Sequence, residues 1–189
     1  MLGRKVLRVL FLAILIIVLL FIGARLAGYR PMKYPADVET SMYPTISPGD
    51  IWLCRMKHSY SSQDMQQGMI ILFPKEGYKF LLTKRIIALE NQIVAIHEEE
   101  TFVNGKKIQE PHAFYSGEKP SGINGPHGTS EVETVKVPPG MLFVMGDNRD
   151  NSFDSRDPEF GFVEVKDIVG RPLLALWARD KRRIGRLIR

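Results

Sequence analysis

A run of polar and charged residues follows an apolar, strand-like segment and is the most informative stretch of the chain. The segment is Met141–Met145, and the run, Gly146 to Arg156, reads Gly-Asp-Asn-Arg-Asp-Asn-Ser-Phe-Asp-Ser-Arg. Five of its eleven side chains are charged, with both signs interleaved. They could form a compact network of ion pairs and hydrogen bonds that supports a chemical site. The alternative is a solvated turn, since loops are commonly rich in Asp, Asn and Gly.

Two further segments favour the chemical site. One, Ser41 to Thr45, reads Ser-Met-Tyr-Pro-Thr, and the other, Lys84 to Ile87, reads Lys-Arg-Ile-Ile. In this order, a Ser-Met-x-Pro-Thr box, a Lys-Arg box and the run at 146–156 resemble the bacterial type I signal peptidases. The third box is long and specific, the first is moderately specific, and Lys-Arg alone carries no weight. The resemblance extends from the apolar N-terminal segment to Arg171.

The resemblance implies a Ser/Lys mechanism. Ser41 is expected to attack the scissile carbonyl while neutral Lys84 takes its proton, protonates the leaving amine and later activates the deacylating water. Ser152 matches the family serine that orients the lysine amine. The other supporting residues that it implies are an acid, Asp154, and the two arginines that pair with it, Arg85 and Arg156.

The residues themselves suit this chemistry. A serine hydroxyl needs a base at neutral pH, and because no histidine lies in a recognisable motif, a lysine is the available base. A free lysine has a pKa of about 10.4, and apolar burial disfavours its ammonium form provided that no carboxylate is adjacent. Phe80–Thr83 and Ile86-Ile87 flank the Lys-Arg pair, and strand alternation would point Lys84 and Arg85 to opposite faces. The alternative is an ordinary snorkelling surface lysine.

The chain departs from the family at two places. Glu39 lies two residues before Ser41, where the family usually has serine or glycine near the oxyanion hole. A carboxylate in that hole would oppose the developing negative charge, so we expect Glu39 to face away and the Ser41 amide to be the donor. Residues 88–92 read Ala-Leu-Glu-Asn-Gln where the family tends toward Gly-Leu-Pro-Gly-Asp, which leaves the geometry of that turn open.

The body of the chain predicts a mainly β fold. Apolar runs such as Ile70–Phe73 and Ile93–Ile96 are too short for typical helices, and Gly, Pro and charged clusters separate them. Thr101–Ile108 predicts a hairpin with an Asn-Gly turn. Residues 111–130 lack periodicity and predict a long surface loop. We therefore expect a catalytic domain at 29–172 with antiparallel, coiled or barrel-like sheets, as the resemblance also implies.

The N-terminus predicts a membrane anchor at residues 1–28. Val9–Ala24 is uncharged and slightly shorter than the ~20 residues that cross a bilayer core, but Arg8 and Arg25 can snorkel. The alternative is a cleavable secretory signal. No clean small-x-small cleavage site follows the apolar run, which argues against this alternative. The resemblance implies a bacterial plasma-membrane protein with its N-terminus in the cytoplasm and its catalytic domain outside, an orientation that the nearly balanced flanking charges do not decide.

The net charge of +5 belongs to the chain ends. Without nine terminal basic residues and Asp180, the body holds seventeen basic and twenty acidic residues, so no basic face for nucleic acid is evident. In 173–189, apolar residues recur at helical spacing opposite arginines. This predicts a basic amphipathic helix on anionic lipid, and the alternative is a frayed basic tail after a last strand.

No metal or cofactor is predicted. Cys54 is the single cysteine, so it cannot form an internal disulfide, and its apolar surroundings favour a buried structural thiol over a nucleophile. The four histidines show no metal-ligand spacing and are assigned to surface or structural roles.

The sequence therefore predicts an endopeptidase that cleaves N-terminal signal peptides from exported preproteins after a small residue. An extended substrate could add as a strand between the segments before Ser41 and before Lys84. One alternative is a Ser/Lys processing protease with a narrower client, such as a pilin or conjugation factor. Another is a non-catalytic, membrane-tethered β domain that binds secreted chains. The presence of Ser41, Lys84 and Ser152 argues against it.

Overall fold

The computed structural model describes residues 2–35, 40–115 and 132–187. Within these ranges the chain forms one α-helix and then eleven β-strands. The helix is α1 (Leu2–Leu26), and the strands are β1 (Tyr29–Lys33), β2 (Ile51–Met56), β3 (Ile70–Phe73), β4 (Leu82–Ala88), β5 (Ile93–His97), β6 (Glu100–Val103), β7 (Lys106–Lys107), β8 (Val132–Lys136), β9 (Met141–Met145), β10 (Val163–Glu164) and β11 (Gly170–Trp177). The mainly β prediction is confirmed.

The strands form two antiparallel sheets. The larger, curled sheet has the order β1-β2-β11-β3-β4-β9-β10, and the smaller has the order β7-β6-β5-β8. Strand β4 lies between β3 and β9, with Lys84 opposite Ile71 and Arg85 opposite Met145. The strand order therefore brings the Lys-Arg segment beside the start of the polar run, although some sixty residues separate them along the chain.

Three apolar clusters hold the sheets together. One packs β3, β4 and β9 through residues such as Ile71 and Val144, and another joins the two sheets through Val94 and Phe143. The third contains Met42 and other apolar residues that follow Ser41, packed against β2 and β3. Each fully buried side chain of this size contributes roughly 1.5–3 kcal/mol, so the turn after Ser41 is anchored in the core.

The predicted hairpin at 101–108 is confirmed. Phe102 pairs with Lys107 and Val103 with Lys106. The two turn residues, Asn104 and Gly105, have φ angles of 52° and 74°. Positive φ at both positions is what a tight two-residue hairpin turn requires, and Asn-Gly adopts it readily.

The N-terminal helix fits a membrane-anchored protein. Its segment Val6–Leu26 has a mean hydropathy of 3.1 and is long and apolar enough to cross a membrane. Its apolar side chains are exposed, as in Leu20 and Phe21. Only two residues separate the end of α1 from the start of β1, so the β body follows the helix almost at once.

The C-terminal segment differs from both predictions made for it. Strand β11 runs through the expected boundary at residue 172 and pairs with β2, and Ala175 is buried. Beyond it, Lys181–Arg183 form a short 3-10 turn and Leu187 bridges back to Leu174. The prediction of an amphipathic helix from residue 173 is wrong, because strand pairing and burial outweigh a local helical spacing. The alternative is right in that a last strand, β11, is present. The residues that follow it are not frayed as far as Leu187, because they bond back to Leu174 and Ala175.

Candidate active site

Ser41 lies in a turn that the core and the polar run hold in place. The amide of Ile46 donates a 2.8 Å hydrogen bond to the carbonyl of Met42, a fully buried residue. The Ser41 carbonyl accepts a 2.8 Å hydrogen bond from the amide of Asn148. Ser41 itself is buried, so its main chain is fixed against the run at 146–156. Glu39 lies outside the described residues, and its orientation stays a prediction.

Lys84 lies in the middle of a strand whose seven residues are all buried. Its Nζ donates a 3.0 Å hydrogen bond to Oγ of Ser152. The next residue, Arg85, reaches a different partner, Asp147. The two neighbouring cations therefore serve separate polar groups, as strand alternation predicts.

Ser152 connects the lysine to a buried ion pair. Its hydroxyl donates to Oδ2 of Asp154 at 2.6 Å. Since a hydroxyl has a single proton, the oxygen of Ser152 is left to accept from Lys84. Asp154 is held in turn by Arg156, whose Nε and Nη2 donate to its two oxygens at 2.9 and 3.0 Å. The structure thus aligns Lys84, Ser152, Asp154 and Arg156 in one line of hydrogen bonds.

A carboxylate stands closer to the lysine than the sequence led us to expect. Asp154 is fully buried and is separated from Lys84 only by the Ser152 hydroxyl. Burial raises the pKa of Asp154, but the charge and hydrogen bonds of Arg156, together with the charge of Lys84 and the hydrogen bond from Ser152, outweigh it and hold that pKa below its ordinary value of 3.8. Because an arginine stays charged at all relevant pH, Arg156 is the main counter-ion of this carboxylate, and the charge of Lys84 and the hydroxyl of Ser152 make smaller contributions.

Arg85 binds a carboxylate other than the predicted one. Its Nε and Nη2 donate to the two oxygens of Asp147 at 2.7 and 2.6 Å, and both side chains are almost inaccessible. The hydroxyl of Thr45 donates to the same carboxylate at 2.5 Å. This corrects the expectation that Asp154 pairs with both arginines. The cause is the strand register, which sets Arg85 opposite Met145, two residues before Asp147.

Gly146 is a site residue that the sequence reasoning missed. A β-carbon at this position would lie 2.5 Å from the Ser41 carbonyl oxygen and 2.6 Å from Cβ of Ser152, closer than side chains approach one another. Position 146 therefore requires a residue without a side chain, because the Ser41 turn and Ser152 leave no space for one. Asp147 and Asn148, also missed, bind Arg85 and the Ser41 carbonyl. All three lie in the polar run, so the signal was present but was interpreted only at Ser152, Asp154 and Arg156.

A mainly apolar pocket is lined by segments that come before Ser41 and Lys84 in the sequence, although neither of these two residues lines it. It encloses roughly 450 Å³ together with its open mouth. One wall is Met32–Pro35, shortly before Ser41, and another is Phe80, Leu81 and Thr83, directly before Lys84. Trp52 and Cys54 contribute to its floor. The pocket therefore lies between the two segments expected to flank an extended substrate.

The remaining titratable candidates suit structural roles. Cys54 is buried, and burial raises the pKa of its thiol to about 12, so it is an inert thiol, as predicted. Burial likewise lowers the pKa of His112 to about 4, which leaves this imidazole neutral near pH 7. Among the described residues, no group of three or more His, Cys, Asp or Glu side chains could hold a metal ion.

Comparison with known proteins agrees with the resemblance. A family model described as signal peptidase, peptidase S26, matches residues 7–177. The chain is 36% identical over 143 residues to signal peptidase I of Bacillus caldolyticus, covering 72% of this chain and 75% of that protein. It is 34% identical over 163 residues to signal peptidase I V of Bacillus subtilis (strain 168), covering 85% of this chain and 93% of that protein. A crystal structure of a signal peptidase I from Enterococcus faecalis V583 matches with a TM-score of 0.45 and 30% identity, over 57% of this chain and 95% of that one.

The chain belongs to the signal peptidase family, peptidase S26. Membership confirms the resemblance inferred from the three boxes and implies a serine endopeptidase that processes signal peptides.

Proposed function

We propose that this protein cleaves signal peptides from exported preproteins with Ser41 as the nucleophile and Lys84 as the general base. The observation that carries the proposal is the line from Lys84 through Ser152 to Asp154, beside the turn of Ser41. It supplies a buried amine with a fixed hydrogen-bond partner. A serine nucleophile needs such a base within its site.

The reaction divides into acylation and deacylation. In the first half, the neutral amine of Lys84 takes the proton of Ser41 Oγ as that oxygen attacks the scissile carbonyl. The resulting ammonium then protonates the leaving amine, which departs as the new N-terminus of the mature protein. In the second half, Lys84 takes a proton from water, the hydroxide attacks the acyl group, and the proton returns to Ser41. The backbone amide of Ser41 is the proposed donor to the oxyanion.

Ser152 orients the base in both halves. Because its proton is donated to Asp154, its oxygen holds one N–H of the lysine amine. A neutral amine with one hydrogen held in this way presents its lone pair in another direction. Asp154 and Arg156 fix the hydroxyl, and Arg85 with Asp147 fixes the strand and the Ser41 turn through Thr45.

The proposed substrate is an extended peptide with small residues before the scissile bond. It would lie between the segments at 32–35 and 80–83, which form walls of the apolar pocket. An extended chain gains affinity from main-chain hydrogen bonds and specificity from the pockets that receive alternate side chains. An apolar pocket between these two segments favours uncharged side chains over charged ones, and the proposed preference for small residues rests on the family to which the chain belongs.

The proposed location is the bacterial plasma membrane, with the N-terminus in the cytoplasm and the β body on the outer face. Because Gly28 and one neighbour alone connect α1 to β1, the site would remain near the bilayer, where the signal helix of a preprotein holds its own cleavage site. Membrane lipids are thus proposed partners of α1.

The test is cleavage of a labelled secretory preprotein by the full-length protein in detergent. The wild type should release one mature product, whose new N-terminus, read by sequencing, follows a small residue. Ser41→Ala and Lys84→Ala should give no product while their circular dichroism stays that of the wild type. A matched control is Lys136→Ala, on the exposed side of β8, which should cleave normally. Near-normal cleavage by Lys84→Ala would rule out the proposed dyad.

A further inference from the structure

The C-terminal segment folds back toward the turn that carries Ser41. After β11, the amide of Gly185 donates to the carbonyl of Ala175 at 2.9 Å, and the amide of Ala175 donates to the carbonyl of Arg186 at 3.2 Å. Gly185 has a φ of 78°, which glycine adopts without strain. The fold-back carries the 3-10 turn Lys181–Arg183 over residues 44–50.

Arg183 is the residue of this segment that grips the turn. Its Nη1 donates to the carbonyls of Pro44 and Thr45 at 3.2 and 3.3 Å and to Oδ2 of Asp50 at 2.7 Å. Its Nη2 donates to Oδ1 of Asp50 at 3.3 Å. The side chain of Arg183 is 15% exposed and that of Asp50 is inaccessible. Charge-assisted hydrogen bonds from a mostly buried guanidinium are stronger and more directional than exposed ones.

The same turn also forms hydrogen bonds with the polar run at 146–156. Thr45 donates its hydroxyl to Asp147, and the Ser41 carbonyl accepts from Asn148. Residues 41–50 are therefore clamped between the polar run and the C-terminal segment. Among the described residues beyond β11, Arg183 contacts this segment through its guanidinium, and Arg179 contacts it through its main-chain amide, which donates to Oδ1 of Asp50 at 3.3 Å.

We propose that Arg183 is a positioning residue. It fixes the turn that follows Ser41 through Pro44, Thr45 and Asp50, so that the Ser41 hydroxyl stays aligned with Lys84. This inference rests on the proposed function, because it requires Ser41 to be the nucleophile. A nucleophile displaced by about 1 Å can lose on the order of 10²-fold in rate. Removing the guanidinium removes all four of these hydrogen bonds, so the carbonyls of Pro44 and Thr45 and the carboxylate of Asp50 lose this donor.

The first measurement compares three variants of the full-length protein in detergent on a preprotein peptide. Arg183→Ala should lower kcat by about tenfold or more while KM stays within about twofold, since the main walls of the substrate pocket are at 32–35 and 80–83 and only Ile46 of its lining belongs to the segment that Arg183 contacts. Arg183→Lys should recover part of kcat, because an ammonium can reach Asp50 but cannot span it and two carbonyls as a guanidinium does. Arg182→Ala is the matched control: it lies in the same 3-10 turn, is 85% exposed and pairs with Asp180 at 3.0 Å. It should retain wild-type kcat and KM.

The second measurement separates alignment from stability. All assays are run at a temperature at which thermal unfolding shows every variant folded, and the rate of Ser41 acylation is measured in a single turnover. Slow acylation by folded Arg183→Ala supports the inference. It is overturned if folded Arg183→Ala acylates as fast as Arg182→Ala, or if only KM changes. If the wild type and Arg182→Ala do not cleave, or if Ser41→Ala cleaves normally, the proposed function fails and the inference falls with it.

Discussion

The amine of Lys84 donates a 3.0 Å hydrogen bond to the hydroxyl of Ser152, and both side chains are buried. The direction of this bond follows from the next one, in which Ser152 donates its proton to Asp154 at 2.6 Å. The lysine is therefore held through one of its own hydrogens. A base held in this way is oriented without using the lone pair that takes the proton.

Replacing Ser152 should slow catalysis without weakening substrate binding. Ser152→Ala removes the acceptor that holds Lys84, so we expect kcat to fall by about 10²-fold with KM nearly unchanged. The control is Ser155→Ala in the same run, whose hydroxyl accepts from the amide of Val144 at 3.0 Å and has no contact with the lysine among those described here. Steady-state kinetics on a preprotein peptide measures both. Equal kcat values for the two variants would show that Ser152 does not orient the base.

Gly146 should tolerate no side chain. Gly146→Ala would drive a methyl group between the Ser41 carbonyl and the Ser152 side chain, where 2.5 and 2.6 Å are available. We expect a lower melting temperature, with overpacking costing about 1–3 kcal/mol, and a large loss of kcat as the serine turn and Ser152 move apart. The control is Gly23→Ala in α1, where nothing lies within 4 Å of the added carbon. A wild-type melting temperature and kcat for Gly146→Ala would contradict the close packing of the site.

The site contacts that could be predicted from sequence are local or belong to the three boxes. Ser152, Asp154 and Arg156 alternate within five residues, so their mutual hydrogen bonds need little tertiary information. Arg85 and Asp147 are 62 residues apart, and their pairing depends on β4 lying beside β9. No sequence pattern gives that neighbour relationship, and Arg85 was therefore assigned to the wrong carboxylate, whereas Arg156 was assigned correctly to Asp154.

The C-terminal segment also shows that contacts between distant parts of the chain cannot be predicted from local sequence patterns. Its apolar residues recur at helical spacing, yet Gly170–Trp177 form a strand because β2 offers an edge to pair with. Arg183 meets Asp50 across 133 residues of chain, a distance over which periodicity carries no information. In contrast, the Asn-Gly hairpin was predicted correctly, because the turn chemistry of Asn104 and Gly105 decides it locally.

The ion pair between Arg85 and Asp147 should matter for both stability and rate. Asp147→Ala leaves a buried guanidinium without its carboxylate, which costs about 3–5 kcal/mol of unfolding free energy. It also removes the acceptor of Thr45, so we expect kcat to fall in the fraction that stays folded. The control is Lys57→Ala, which breaks the exposed pair with Asp64 but keeps the hydrogen bonds from Ser61 to that carboxylate, and should leave stability nearly unchanged. Denaturant unfolding measures the difference, and equal midpoints for the two variants would contradict the assignment.

The stability contributed by Asp154 should disappear in acid. The pKa of Asp154 is below 3.8 in the folded protein, because Arg156, with smaller contributions from Lys84 and Ser152, outweighs the effect of burial, so the unfolded state binds the proton more readily. This contribution is complete above the unfolded pKa and is lost as pH falls through the folded one. Asp154→Asn resembles the protonated acid at every pH, so the wild type should be more stable by about 3–5 kcal/mol near pH 7. The gap should narrow steadily as the pH is lowered from 7 to below 3.8, because the unfolded wild type then binds a proton at Asp154 that the folded state still resists. Urea unfolding across that range measures the gap, and the other carboxylates cancel because both proteins contain them. A gap that stays constant, or widens in acid, would mean that Asp154 is not the buried carboxylate that Arg156 stabilises.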